Sequence, residues 1–158
     1  MTELVQVKAE DRERLWNLHQ KYLYEMTNFY DNVMDEKGNI QYGYFDAYFR
    51  EDCRKAYFIY SDYQLTGFLM IHPYSYFGGK TDYVLAEFTV FPRSRRQHIA
   101  YESAELLFCE LKGRWEVKYH ESNLPAKKLW NKVTEKYAPQ RVAYTENETV
   151  LLFSTEKE

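Results

Sequence analysis

The length, composition and charge of the chain narrow the classes of protein that it can be. Its 158 residues suit one domain with a single core, and a hydrophobic share of 45% argues against disorder. The formal net charge of −3 argues against general binding of nucleic acid or of an anionic membrane surface. An anion site in such a chain must therefore be a local cluster of positive charge.

Cysteine use and the absence of apolar segments bear on the compartment. Neither Cys53 nor Cys109 has metal-ligand spacing around it, so no metal is expected. Cys109 lies within an apolar helical pattern, which predicts a reduced and buried thiol. The N-terminus lacks the apolar segment of a signal peptide, and no run approaches membrane-spanning length. We therefore expect a cytoplasmic protein.

Hydrophobic periodicity and turn residues predict an alternating series of strands and helices. Leu4 to Val7 form a first strand, and Asp11 caps a helix that runs to about Phe29. There follow a loop (30–44), a short helix (45–52), a hairpin (56–77) turning near 61–64, a strand (83–91), a helix stopped by Gly113, a strand (114–121), a helix (123–137) and a hairpin turning near 146–147. This order predicts a single α/β (α+β) domain over 1–158, with a mixed, mostly antiparallel twisted sheet and helices on both faces.

Residues 90–100, VFPRSRRQHIA, combine the end of a predicted strand, a cluster of arginines and the start of a helix. Such a turn presents unpaired backbone N–H groups and the positive end of the helix dipole, which together bind phosphate. The side chains of Arg95 and Arg96 can add charge-assisted hydrogen bonds. Neither the P-loop pattern nor the G-x-G-x-x-G pattern occurs. The predicted ligand is therefore a pyrophosphate group, but neither that of a P-loop nucleotide nor that of a dinucleotide bound by the G-x-G-x-x-G motif. A solvated loop is the alternative interpretation.

The same segment resembles the acyl-CoA-binding motif of the GNAT superfamily of N-acyltransferases. In that motif a strand ends in a hydrophobic residue, often followed by proline, and the chain continues Arg/Gln-x-x-Gly-x-Gly/Ala. This sequence reads Arg95-Arg96-Gln97-His98-Ile99-Ala100 there. The order of elements is similar to that superfamily nearly end to end, and residues 22–31 and 113–133 resemble a little-characterised bacterial branch of predicted acetyltransferases. The resemblance implies an N-acetyltransferase that uses acetyl-CoA as its acyl donor.

The resemblance also implies which residues bind acetyl-CoA. The backbone of Phe88, Thr89 and Val90 would pair with the pantetheine arm as though it were an added strand. The backbone amides of a six-residue turn would surround the pyrophosphate: Arg95, Arg96, Gln97, His98, Ile99 and Ala100. On the last helix, Asn123, Ala126 and Trp130 match the pattern Asn-x-x-Ala-x-x-x-Tyr and would share the face toward the cofactor. A helix cap at Asn123 and a core position at Trp130 are the alternative interpretations.

Two positions depart from the superfamily pattern. His98 stands where glycine is usual. Histidine is tolerated at positive φ and its imidazolium can assist an anion, or its ring can crowd the turn. Trp130 stands where many members have a tyrosine that protonates the departing thiolate, and an indole cannot act as an acid at neutral pH. Water or another residue would then supply that proton.

Glu87 is the predicted general base, because it lies in an otherwise apolar strand segment three residues before Val90. A carboxylate there can accept the proton of an amine directly or through a water molecule. A backbone N–H near Val90 would stabilise the oxyanion. A glutamate that faces solvent or pairs with a lysine is the alternative interpretation.

The expected acceptor is a primary amine of a small molecule or of a protein. The aromatic residues of 22–30 and 42–49 are assigned to the core, with a share of them lining an acceptor pocket. Asp31, Asp35 and Glu36 are interpreted either as ligands of a cationic amine or as solvated charge. A non-catalytic acyl-CoA-binding or sensor module on the same fold is the alternative function. A homodimer is left open, and neither nucleic acid nor a membrane is expected as a partner.

Overall fold

The strand-forming runs of the sequence pair into one seven-stranded sheet in the computed structural model, which describes residues 1–156. The strands are β1 (Thr2–Gln6), β2 (Lys55–Ser61), β3 (Gln64–Tyr74), β4 (Lys80–Val90), β5 (Arg114–His120), β6 (Gln140–Thr145) and β7 (Glu148–Ser154). The helices are α1 (Arg12–Met26), α2 (Ile99–Glu110) and α3 (Leu124–Thr134). The short helix predicted over 45–52 is a 3-10 turn at Asp46–Phe49.

The sheet has the order β1-β2-β3-β4-β5-β7-β6. Every neighbouring pair is antiparallel except β4 and β5, which run parallel because α2 connects them. This arrangement confirms the prediction of a mixed, mostly antiparallel sheet. It also places the single parallel pair at the centre of the sheet.

Alternation along the central strands divides the buried residues between two faces. Phe68 and Met70 pack with Leu15 of α1 on one face, whereas Leu69 and Ile71 pack with residues of α2 and α3 on the other. The prediction of helices on both faces is therefore confirmed. The face with α1 is called the α1 face below.

An extra residue in β4 changes which face its later side chains occupy. Ile71 pairs with Leu85, but Met70 pairs with Glu87, so Ala86 is a β-bulge. Without the bulge, Glu87 would lie on the same face as Leu85, two residues earlier. Because directly paired residues share a face, Glu87 lies with Met70 on the α1 face.

The parallel pair separates beyond the bulge. β4 and β5 pair only through 83–85 and 115–117, and then they diverge. From Ala86 to Val90, the edge of β4 that faces away from β3 has no strand partner within residues 1–156. The divergence leaves a cleft in the middle of the sheet.

The thiol predicted to be buried is in fact exposed. α2 buries Ala104, Leu107 and Phe108, and Cys109 lies about 100° further round the helix, outside that face. Both cysteines are free. None of the helices within residues 1–156 has the length and apolar character needed to cross a membrane.

Candidate functional site

A cleft of about 480 Å³ opens where β4 and β5 diverge. One part is lined by residues of β4, β5 and α3, including Phe88, Tyr119 and Trp130. The other part is lined by α1 and the loops beside it, with Tyr22 and Tyr42. Glu87 lies on the wall of this cleft.

The turn between β4 and α2 has the backbone geometry of an anion site. Arg96 and His98 both have positive φ, at 64° and 67°. Successive residues of alternating handedness turn their N–H groups toward one point, which is how backbone nests bind anions. His98 also precedes α2, where the first N–H groups have no helical acceptor. The imidazole lies beside the Tyr101 ring, with the ring centroids 5.8 Å apart.

Arg95 has a different position from the one expected of a phosphate ligand. Its guanidinium forms a two-point ion pair with Glu25 of α1, with both N–O distances 2.8 Å. Its Nε donates to the carbonyl oxygen of Val90 at 2.6 Å. The side chain therefore braces the turn against α1 and the end of β4. Among residues 1–156, Arg96 has no ion-pair partner, so its charge stays available to an anion.

The end of β4 and the start of α3 form the walls beside the turn. The rings of Phe88 and Trp130 meet edge to face, with centroids 4.9 Å apart. Trp130 is buried, so it contributes both to the core and to the cleft wall. Asn123 caps α3, since its Oδ1 accepts from the N–H of Ala126 at 3.3 Å. Thr89 and Val90 are buried beside them.

Glu87 lies against a buried histidine that sequence analysis did not assign to the site. The Nε2 atom of His19 is 3.9 Å from Oε2 of Glu87, and the side chain of Glu87 is only 13% exposed. Neither ring nitrogen of His19 has a hydrogen-bond partner within residues 1–156. No lysine or arginine of the same residues pairs with the Glu87 carboxylate. Glu87 is thus a largely buried carboxylate without a permanent cation.

Several tyrosines surround that carboxylate. Burial raises the pKa of Tyr22 and Tyr42 far above the ordinary value, and the charge of Glu87 raises it further. Burial followed by the charge of Glu87 also raises the pKa of Tyr76. These phenols therefore stay neutral at physiological pH, and they lie near enough to Glu87 to feel its charge.

A second charged group lines the cleft, but it has a partner. Nζ of Lys118 is 2.9 Å from Oε2 of Glu148, and the hydroxyl of Tyr30 donates to the same oxygen at 2.8 Å. The ammonium lies 4.9 Å from the centroid of Tyr76 and 5.8 Å from that of Tyr30. Lys118 is thus held by a carboxylate and aromatic rings belonging to the protein itself.

The acids of the early loop do not line the cleft. Asp31, Asp35 and Glu36 are exposed, and Asp35 accepts backbone N–H groups of its own loop, from Lys37 and Asn39. The tyrosines flanking that loop do line it, as one of the two sequence interpretations proposed. His19 gave no signal in the sequence beyond its place on the apolar stripe of α1.

Comparison with known proteins supports the fold. No protein-family model matches the sequence, and no curated protein matches it either. Among solved structures, an acetyltransferase from Thermus thermophilus is 12% identical, with a TM-score of 0.66 over 97% of this chain and 95% of that chain. The GNAT domain of the S. lividans protein PAT is 11% identical, with a TM-score of 0.68 over 97% and 89%.

A third solved structure carries ligands. The diaminobutyrate acetyltransferase of Paenibacillus lautus, in complex with L-2,4-diaminobutyric acid and coenzyme A, is 16% identical, with a TM-score of 0.63 over 100% of this chain and 97% of that chain. The chain therefore has the GNAT fold, as its motif and order of elements predicted.

Proposed function

We propose that the chain is a single-domain N-acetyltransferase that transfers an acetyl group from acetyl-CoA to a primary amine. The observation that carries this proposal is the cleft between β4 and β5, with the carboxylate of Glu87 on its wall and, beyond the end of β4, a turn in which Arg96 and His98 have positive φ. Solved acetyltransferases with the same fold support it.

The residues present fit a CoA thioester. The unpaired edge of β4 from Ala86 to Val90 offers backbone hydrogen bonds to an extended, amide-bearing arm. The amides of residues 95–100 and the charge of Arg96 suit a diphosphate. Phe88 and Trp130 line the apolar path between these points.

The proposed chemistry needs few groups from the protein. Acetyl-CoA supplies an acetyl group activated as a thioester. Glu87 accepts the proton of the bound ammonium, so that a neutral amine faces the acetyl carbonyl. As the carbon–nitrogen bond forms, the carbon–sulfur bond would break, and the thiolate would take the second amine proton through water. Holding both reactants in one cleft contributes up to about 7–11 kcal/mol in favourable cases, by replacing an encounter in solution. The bulge at Ala86 places Glu87 on the α1 face, with the part of the cleft lined by Tyr22 and Tyr42, which is called the acceptor part below.

The role of Glu87 is tested by Glu87→Gln, with release of CoA thiol measured over a panel of primary amines. The variant keeps the shape of the side chain but removes the base, so kcat should fall about 10²–10⁴-fold with little change in the KM of acetyl-CoA. Asp35→Asn, a change at an exposed loop acid, is the matched control and should leave turnover unchanged. Normal turnover in Glu87→Gln contradicts the assignment.

The same assay separates the enzyme from a non-catalytic acyl-CoA-binding module. The indole of Trp130 in the cleft wall favours that second candidate, because it cannot donate a proton to a thiolate at neutral pH. Either protein would gain thermal stability from acetyl-CoA, which binds the folded state. Stabilisation without thiol release from any amine would identify the module.

A further inference from the structure

The acceptor part of the cleft contains an unusual combination of charge and aromatic rings. Glu87 is the only acid that lines the cleft within residues 1–156, and Lys118 is its only lysine or arginine. Lys118 is already paired with Glu148, whereas the imidazole of His19 is the only basic side chain of residues 1–156 within 4.0 Å of the Glu87 carboxylate. A largely buried carboxylate without a cation is costly, so a cationic ligand would stabilise it.

The rings around Glu87 suit a particular kind of cation. Tyr22 and Tyr42 line the cleft beside it, and the ring of Tyr42 packs edge-on against His19 with centroids 4.3 Å apart. Aromatic faces attract organic ammonium ions and also contact the apolar carbons attached to them. The protein already holds one ammonium in this way, since Lys118 lies 4.9 Å from the centroid of Tyr76.

A carboxylate on the ligand would find no unpaired lysine or arginine in the part of the lining that residues 1–156 supply. Glu148 occupies the ammonium of Lys118 at 2.9 Å, and the backbone N–H of Tyr76 already donates to Glu116 at 2.9 Å. Glu87 would repel a carboxylate next to the amine. The charges of the lining therefore favour a ligand with one positive charge and no negative one.

From these contacts we propose that this part of the cleft binds small organic monoammonium ions with an apolar body and no carboxylate beside the nitrogen. The tyrosine rings and Glu87 recognise the cation together. The proposal rests on the proposed function in that such an ion, as a primary amine, is the acceptor. Binding itself requires no acetyl transfer, so the two ideas can fail separately.

The binding test uses tetramethylammonium, which cannot be acetylated, and trimethylglycine, which has the same head group and a carboxylate. Each is titrated into the protein at constant ionic strength, with binding followed by NMR. Wild type should bind tetramethylammonium at least about tenfold more tightly than trimethylglycine. Equal affinities, or no saturable binding of tetramethylammonium, would overturn the proposal.

Variants show whether the named residues are responsible. Tyr42→Leu removes the ring and should weaken tetramethylammonium binding about three- to tenfold, whereas Tyr42→Phe keeps the ring face and should stay within about twofold. Glu87→Gln should weaken it about tenfold or more. If Tyr42→Leu does not fold, Tyr22→Leu and Tyr22→Phe form the same comparison. Unchanged affinity in Glu87→Gln and in the leucine variants overturns the assignment.

Turnover separates the two proposals. Pentylamine is norleucine without its carboxylate, so its kcat/KM should exceed that of norleucine at least about tenfold. Selective tetramethylammonium binding with no thiol release from any amine would contradict the proposed acetyltransferase function and support the proposed cation site. Thiol release with norleucine as fast as with pentylamine would contradict the proposed cation site and support the proposed acetyltransferase function.

Discussion

The backbone conformation of His98 predicts that glycine and alanine at this position give proteins of different stability. His98 has φ 67° and ψ 3°, in the left-handed region, directly before α2. A residue with a Cβ atom costs about 1–2 kcal/mol there, whereas glycine adopts it freely. Glycine in turn loses about 0.5–1 kcal/mol through the greater freedom of the unfolded chain. His98→Gly should therefore be more stable than His98→Ala by about 0.5–1 kcal/mol.

Thermal unfolding measures this difference. A chain of this length shifts its Tm by about 2–4 °C per kcal/mol, so the two variants should differ by about 1–4 °C. At the neighbouring Gln97, which is exposed and has no positive φ, the order should reverse, with alanine above glycine. Because backbone amides are proposed to hold the diphosphate, His98→Gly should also keep the stabilisation by acetyl-CoA. Equal stability of His98→Gly and His98→Ala would refute the left-handed turn.

Three further predictions follow from other parts of the structure. A Cβ atom at Gly67 would lie 2.1 Å from the carbonyl oxygen of Thr89, so Gly67→Ala should lower the free energy of unfolding in urea by about 1–3 kcal/mol, whereas Gly43→Ala, with nothing within 4 Å, should not. Burial, then the charge of Arg54, lowers the pKa of His72 from 6.5 to about 4. As the pH drops, His72 is therefore protonated in the unfolded chain before it is protonated in the folded one. The free energy of unfolding should fall between pH 6.5 and about 4, by at most about 3 kcal/mol. His72→Asn should flatten that slope in urea unfolding measured across the range, and an unchanged slope contradicts the assignment. Arg95→Ala combined with Arg96→Ala should abolish the thermal shift by acetyl-CoA, while Arg93→Ala retains it; a retained shift in the double variant counts against the anion site.

The sequence predicted the order of elements because each signal was local. The apolar stripe of α1, the two hairpins and the arginine turn all lie within short windows whose periodicity or turn residues are specific. The edges of these elements shifted by a few residues: the first strand is Thr2–Gln6 rather than 4–7, and β4 begins at Lys80 rather than 83. Pairing partners extend such strands beyond their own pattern.

The surroundings of Glu87 could not be predicted in the same way. Its orientation depends on the bulge at Ala86, and one extra residue in a strand leaves no mark in an apolar run. The contact with His19 joins β4 to α1, which are far apart in the chain. The ion pair of Arg95 with Glu25 is likewise long-range. Because of it, the side chain of Arg95 holds the turn against α1, which the local motif does not reveal.

Backbone NMR of the ¹⁵N-labelled protein during titration with coenzyme A tests the central claim most directly. A diphosphate bound by the turn and an arm paired with β4 should move the amide signals of 95–101 and of 86–90 most strongly. Saturable shifts confined to those two segments and the neighbouring cleft walls are the predicted result. No saturable shift, or shifts centred on a distant part of the sheet such as β1 and β2, would contradict the account.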